Sequence, residues 1–160
     1  MKKRMGVEAD DRQTLKLFKE HYADNNFTDE DLFITIRLKK VKNPTKFIYQ
    51  RLDAIASRLA PTKDKRDRLV AEDNAPVHAL VTYVDRNKCG EIEPHAHILM
   101  KNRQFIHNVY PDYASLVRHH LSKSMCVEED VTVEQINNIQ YVSTYALLQQ
   151  WDCRVEIYKL

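Results

Sequence analysis

Two histidines separated by one residue, His95 and His97, are the first residues in this chain whose type and spacing suggest chemistry. They lie in the mostly apolar run 93–100, which predicts a β-strand. Residues two apart on a strand project from the same face, about 6.5–7 Å apart along the chain. Two imidazoles so placed can bind one metal ion, but the same pattern also occurs as two surface histidines on a half-exposed strand.

A carboxylate on the preceding strand favours the metal interpretation. The strand-like runs 77–84 and 92–100 are separated by a polar connection containing Gly90, which is typical of a β-hairpin. If the turn centres on Gly90, Asp85 lies opposite His95 and Tyr83 opposite His97. Two imidazoles and one carboxylate, with positions left for water or phosphate, suit Mg²⁺ or Mn²⁺. Zinc stays open as an alternative.

A candidate nucleophile occurs twice near the end of the chain. Tyr141 and Tyr145 fall in the run 138–150, which predicts a helix, and at this spacing they lie one turn apart on one helix face. Such a pair could supply two phenols to one site. The alternative is that both tyrosines simply pack against a sheet.

The elements that must position these residues predict an α+β fold, with helices packed against a central, mostly antiparallel sheet. We expect a short amphipathic helix at 12–22 outside the main sheet, within an N-terminal arm, 1–31, that precedes the main domain, 32–160. Asn43 and Pro44 supply helix-start signals. The predicted order for the main domain is a strand at 32–38, a helix from 44 towards Pro61, a loop at 61–76, the hairpin, helices at 111–125 and 138–150, and a strand at 154–160.

Composition narrows the classes of protein without revealing the chemistry. The chain has 160 residues and a net charge of only +2, so a nucleic-acid partner must be argued from local basic clusters. No run approaches the roughly 18 apolar residues of a membrane span. Three separated cysteines and the absence of an apolar N-terminal run favour a reducing cytoplasm over secretion.

Taken together, the histidine strand and the downstream tyrosine helix resemble the HUH endonucleases, a family that includes rolling-circle replication initiators, plasmid relaxases and single-strand transposases. The resemblance covers about residues 32–160. Three motifs stand in the family's order: Phe33-Ile34-Thr35-Ile36 resembles the first motif, Pro94-His95-Ala96-His97-Ile98-Leu99 the metal motif, and Tyr141-Val142-Ser143-Thr144-Tyr145 the nucleophile motif.

The resemblance implies a divalent metal, Mn²⁺ or Mg²⁺, that polarises the scissile phosphate, and a tyrosine that forms a 5′-phosphotyrosyl intermediate. Tyr141 matches the family's tyrosine by position and is our main candidate. Many initiators have a lysine three residues later, where this chain has Thr144. Tyr145 followed by Gln149 instead resembles single-strand transposases, in which such a glutamine binds the metal, so both tyrosines and both Asp85 and Gln149 stay open.

The function expected from this resemblance is site-specific nicking and transfer of single-stranded DNA, at the origin or a hairpin of a plasmid or virus replicated by a rolling circle. The cytoplasm of a prokaryotic or virus-infected cell is the expected location. A homodimer is a further expectation. A host helicase is also an expected partner, because the chain has no room for a motor domain. The alternatives are a transposase with the same chemistry, a non-catalytic nucleic-acid-binding domain and a metal-stabilised structural module.

Overall fold

The computed structural model describes residues 3–9, 12–39, 41–87, 89–104, 109–122, 131–148 and 153–160. Within them the longest helix forms where its local signals predict it. The Asn43 side chain accepts a hydrogen bond of 3.1 Å from the Lys46 amide, and Pro44 occupies the first turn. The apolar positions of this helix, such as Ile48 and Leu52, are fully buried. The predicted helix is therefore confirmed over Pro44–Leu59.

One sheet organises the described residues, and all of its strand pairs are antiparallel. Helices pack on both of its faces, so the predicted α+β class is confirmed. The strand order is β1-β6-β3-β4-β2-β5, which places the histidine strand β4 between β3 and β2. The six described strands are β1 Lys3–Ala9, β2 Leu32–Arg37, β3 His78–Arg86, β4 Ile92–Met100, β5 Val131–Gln135 and β6 Cys153–Lys159.

Two helical layers cover the sheet. On the first face, apolar residues of α3 and α5 form one buried cluster with alternate residues of the central strands. On the second face, residues of α1, a following π-helical turn and α6 form another. The described helices are α1 Arg12–Phe18, the π-helical turn Lys19–Ala23, α2 Asp24–Asn26, α3 Pro44–Leu59, α4 Lys63–Ala71, α5 Tyr113–Ser122 and α6 Ile139–Leu148. None of them is long and apolar enough to cross a membrane.

The N-terminal segment differs from the arm that we expected outside the sheet. β1 pairs with β6 along its whole length, and the helical segment that follows buries Leu15, Ala23 and Phe27 against the second face. An edge strand of this kind is held by pairing with residues about 150 positions away, which local sequence patterns do not reveal.

Two further elements lie where no element was predicted. Part of the expected loop at 61–76 is helix α4, whose start is capped by the Thr62 side chain accepting from the Lys65 amide. Lys63 and Asp67 add an ion pair one helical turn apart, 3.0 Å long. The other missed element is β5, in which buried Val131 and Val133 alternate with exposed residues.

Candidate active site

Strand β4 carries the two histidines on the second face of the sheet. Ala96 and Ile98 of the same strand belong to the first-face cluster, which α3 covers. Because side chains alternate along a strand, His95 and His97 lie on the other face, away from α3. His97 pairs across the sheet with Thr35 of β2 and Thr82 of β3. The histidines thus lie in the middle of a sheet rather than at its edge, which fixes their backbone position.

His97 is held as a neutral imidazole. Its side chain is only 2% exposed, and this burial lowers its pKa to about 3, with the charge of His95 adding to the effect. Thr35 Oγ1 shares a hydrogen bond of 3.2 Å with Nδ1 of His97. Nε2 is buried and has no hydrogen-bond partner among the described residues. With Nδ1 donating to the threonine, Nε2 presents a lone pair at ordinary pH, as metal binding requires.

His95 presents its Nε2 in the same way. Its Nδ1 lies 2.6 Å from the carbonyl oxygen of Glu93. Since a carbonyl only accepts, Nδ1 must carry a proton, which leaves Nε2 as the nitrogen that can bind a metal. The ring centroids of His95 and His97 are 5.0 Å apart. This spacing is compatible with one ion about 2.1 Å from each nitrogen. The pair, including the unpartnered buried nitrogen of His97, therefore fits a divalent metal.

Helix α6 brings Tyr145 to these histidines. Asn138 caps its start by accepting from the Tyr141 amide at 3.1 Å, and buried Ser143 donates a hydrogen bond of 2.7 Å to Asp24 of α2. The half-buried ring of Tyr145 lies edge-on to that of His97, with 5.1 Å between centroids. Tyr145 is thus placed by a helix that is anchored at its start and in its middle.

The two tyrosines have different surroundings. Tyr145 lines a cavity of about 340 Å³ in front of the histidines, whereas Tyr141 is 64% exposed and is not among the residues described as lining it. Four residues of helix separate them by about 6 Å along its axis, so sharing a helix face does not place both at one point. The residues that line the cavity are Thr35, Arg37, Asn87, Cys89, Glu93, His95, His97 and Tyr145.

The predicted position of Asp85 is wrong. His95 pairs with Val84 and His97 with Thr82, one residue away from the expected register. The cause is an irregularity near the turn, where Glu93 and Pro94 of β4 lie opposite the single residue Asp85 of β3, so that β4 carries one extra residue. A shift of one residue moves a side chain to the other face. Asp85 accordingly shares a different cavity with Tyr83 and Arg154.

Glu93 is the acidic residue that the sequence reasoning missed. It precedes His95 and His97 at the same two-residue spacing on β4 and lines the cavity with them. That spacing was visible in the sequence and could have identified it. Among the described residues, no three His, Cys, Asp or Glu side chains gather closely enough to define a complete metal site. Gln149, the other candidate ligand, lies outside the described residues.

Comparisons with protein-family models, curated proteins and solved structures find no match to this chain. Inferences about its activity therefore depend on the geometry and chemistry of this cavity, together with the motif resemblance.

Proposed function

We propose that this protein is a metal-dependent enzyme that nicks and transfers single-stranded DNA through a phosphotyrosyl intermediate, with Tyr145 as the nucleophile. The observation that carries the proposal is the phenol ring of Tyr145 beside the paired imidazoles of His95 and His97 in one open cavity. A role in rolling-circle replication of a plasmid or virus is the biological setting that we propose for this chemistry.

The proposed reaction exchanges one phosphodiester for another. The phenolic oxygen of Tyr145 attacks the scissile phosphorus, the bond from phosphorus to the 3′ oxygen breaks, and the proton lost by the phenol ends on that 3′ oxygen. The product is a 5′-phosphotyrosyl protein and a strand with a free 3′-OH. Attack by a 3′-OH on the phosphotyrosine reverses the step or joins a different strand, so no external energy source is needed.

Besides Tyr145, five residues of the cavity have a proposed part in this reaction. His95 and His97 would hold Mn²⁺ or Mg²⁺ with Glu93 as a nearby carboxylate, and the bound ion would polarise the phosphate and offset its developing charge. Arg37, on the strand next to the histidines, adds a guanidinium suited to phosphate oxygens. Thr35 orients His97 through Nδ1.

The test is formation of a covalent adduct. Incubation with end-labelled single-stranded oligonucleotides drawn from a sequence pool, in the presence of Mn²⁺, should give an SDS-resistant labelled band. Tyr145→Phe should abolish this band, and the matched variant Tyr141→Phe should retain it. DNA binding without an adduct by the unmodified protein would instead support a non-catalytic nucleic-acid-binding domain.

A single-strand transposase is a second candidate within the same chemistry. It is favoured by the placement of Tyr145, rather than Tyr141, at the histidine cavity, because Tyr145 is the tyrosine whose spacing to Gln149 resembles that class. Loss of Mn²⁺ affinity in Gln149→Ala would support this candidate. Retention of affinity would support the replication role.

A further inference from the structure

A second cavity, also of about 340 Å³, adjoins the candidate active site. It lies where β2 ends and α3 begins, and we name it the Arg154 cavity. The residues that matter here are Thr45, Tyr83, Asp85, His95 and Arg154. His95 lines both this cavity and the one that contains Tyr145. A strand bound at the histidines therefore has a second recess next to it.

The Arg154 cavity combines a positioned donor with an acceptor. The Arg154 guanidinium lies 5.0 Å from the centroid of the Tyr83 ring and donates a hydrogen bond to the hydroxyl of Thr45. These two contacts restrain a long side chain that is otherwise exposed. Asp85 contributes an exposed carboxylate, which accepts hydrogen bonds.

Guanine matches this pair of groups better than the other bases. Its O6 and N7 accept the two parallel hydrogen bonds of a guanidinium, and its ring N–H and amino group can donate to a carboxylate. In single strands such base edges are accessible, because the bases are not paired. Thymine has no amino group to donate, and cytosine and adenine lack the O6 and N7 acceptor pair.

We propose that the Arg154 cavity binds a guanine base of the single strand close to the scissile phosphate. This inference rests on the proposed function, since it takes single-stranded DNA as the ligand. Arg154 recognises the O6 and N7 edge, Asp85 the N–H edge, and Thr45 keeps the guanidinium in place. The cavity thus makes the enzyme selective for sequence at a position that it does not cleave.

The experiment measures binding without cleavage. In Tyr145→Phe protein without metal, fluorescence anisotropy compares an oligothymidine with matched strands that carry a single internal dG, dA or dC. The dG strand should bind roughly five-fold tighter or more, the discrimination expected of one bidentate contact. Arg154→Ala and Arg154→Lys should both remove the preference, because lysine lacks the planar fork. Asp85→Asn should reduce it.

The matched control is Arg68→Ala, which removes one positive charge from an exposed position on α4 outside both cavities. It should weaken all strands equally and keep the preference. Circular dichroism checks that each variant is folded. Equal affinity for all four strands, or a dG preference that survives Arg154→Lys, would overturn the proposal. So would free guanosine monophosphate binding as tightly as the dG strand, since the ligand would then be a nucleotide rather than DNA.

This outcome is separate from that of the nickase proposal. A dG preference that depends on Arg154, found in a protein that never forms an adduct, would support the base site and refute the enzyme. An adduct formed by a protein without a dG preference would support the enzyme and refute the base site.

Discussion

The two faces of the sheet differ in the helices that cover them and in the side chains buried beneath those helices. On the first face, α3 and α5 cover a broad apolar core that includes Ile48, Leu52 and Leu116. On the second face the cover consists of α6 and shorter helical pieces, and polar side chains are buried among apolar ones, as with His97 and Ser143. Both faces gain hydrophobic stabilisation, and the first face also buries the carboxylate of Glu156, which accepts a hydrogen bond from the Tyr158 hydroxyl. The second face differs in that its buried His97 lies beside a cavity shared with Tyr145.

The candidate chemistry lies on the second face. A buried ring nitrogen without a hydrogen-bond partner, such as Nε2 of His97, destabilises the fold by about 1–3 kcal/mol. A cost of that kind is typical of functional sites, at which stability and activity compete. Mutations on the two faces should therefore separate stability from activity.

The largest expected effect is on activity, from His97→Leu. Leucine removes the proposed metal ligand and the hydrogen bond to Thr35, but it fills a similar volume and removes the buried, unpartnered Nε2. Adduct formation should therefore fall below detection, while the free energy of unfolding changes by less than about 1.5 kcal/mol. Urea denaturation and the adduct assay on the same preparation check this. A variant that retains normal adduct formation would remove His97 from the site.

The next effect is on stability, from Leu52→Ala on the first face. Leu52 is fully buried, and its truncation should lower the free energy of unfolding by about 2–5 kcal/mol. Adduct formation per folded molecule should stay unchanged below the unfolding transition. A specific loss of activity in the folded protein would show that the two faces are coupled.

A smaller effect on stability is expected when the pH is lowered, through the titration of His78 on the second face. His78 Nε2 and the Tyr22 hydroxyl share a hydrogen bond of 2.6 Å, and burial, followed by nearby positive charges, lowers the pKa of His78 to about 4. A lowered folded-state pKa gives stability that is complete above the unfolded value of about 6.5 and is lost as pH falls towards 4. From pH 7.5 to 5 this group contributes a loss of at most about 2 kcal/mol.

His78→Gln should flatten that pH dependence, as measured by urea denaturation across the range. His97, whose pKa is also lowered, retains its own contribution of the same sign in this variant. An unchanged slope would mean that His78 titrates normally in the folded protein.

The smallest effects distinguish the two acidic residues near the histidines. Glu93→Gln should weaken Mn²⁺ binding several-fold, because it removes a carboxylate on the histidine side of β4, and Asp85→Asn should leave Mn²⁺ affinity unchanged. Isothermal titration calorimetry measures both. If Asp85→Asn weakened Mn²⁺ binding and Glu93→Gln did not, the result would support the register in which Asp85 faces His95.

Sequence patterns predicted the parts of this molecule that local signals specify. The cap and apolar spacing of α3, the limits of β4 and the shared face of His95 and His97 follow from short-range periodicity. The position of Asp85 was missed because the extra residue in β4 near the turn depends on the whole hairpin. β1 depends on distant pairing, and α4 is a charged helix without apolar periodicity. The choice between Tyr141 and Tyr145 needed the packing of α6, which spacing alone does not specify.

Identification of the DNA-linked residue tests the central claim most directly. After adduct formation with Mn²⁺, proteolysis and nuclease digestion would leave a nucleotide-modified peptide from α6, in which tandem mass spectrometry can locate the modification. The expected result is a phosphodiester on Tyr145. Modification of Tyr141 instead, in a protein whose His97→Leu variant still reacts, would contradict it.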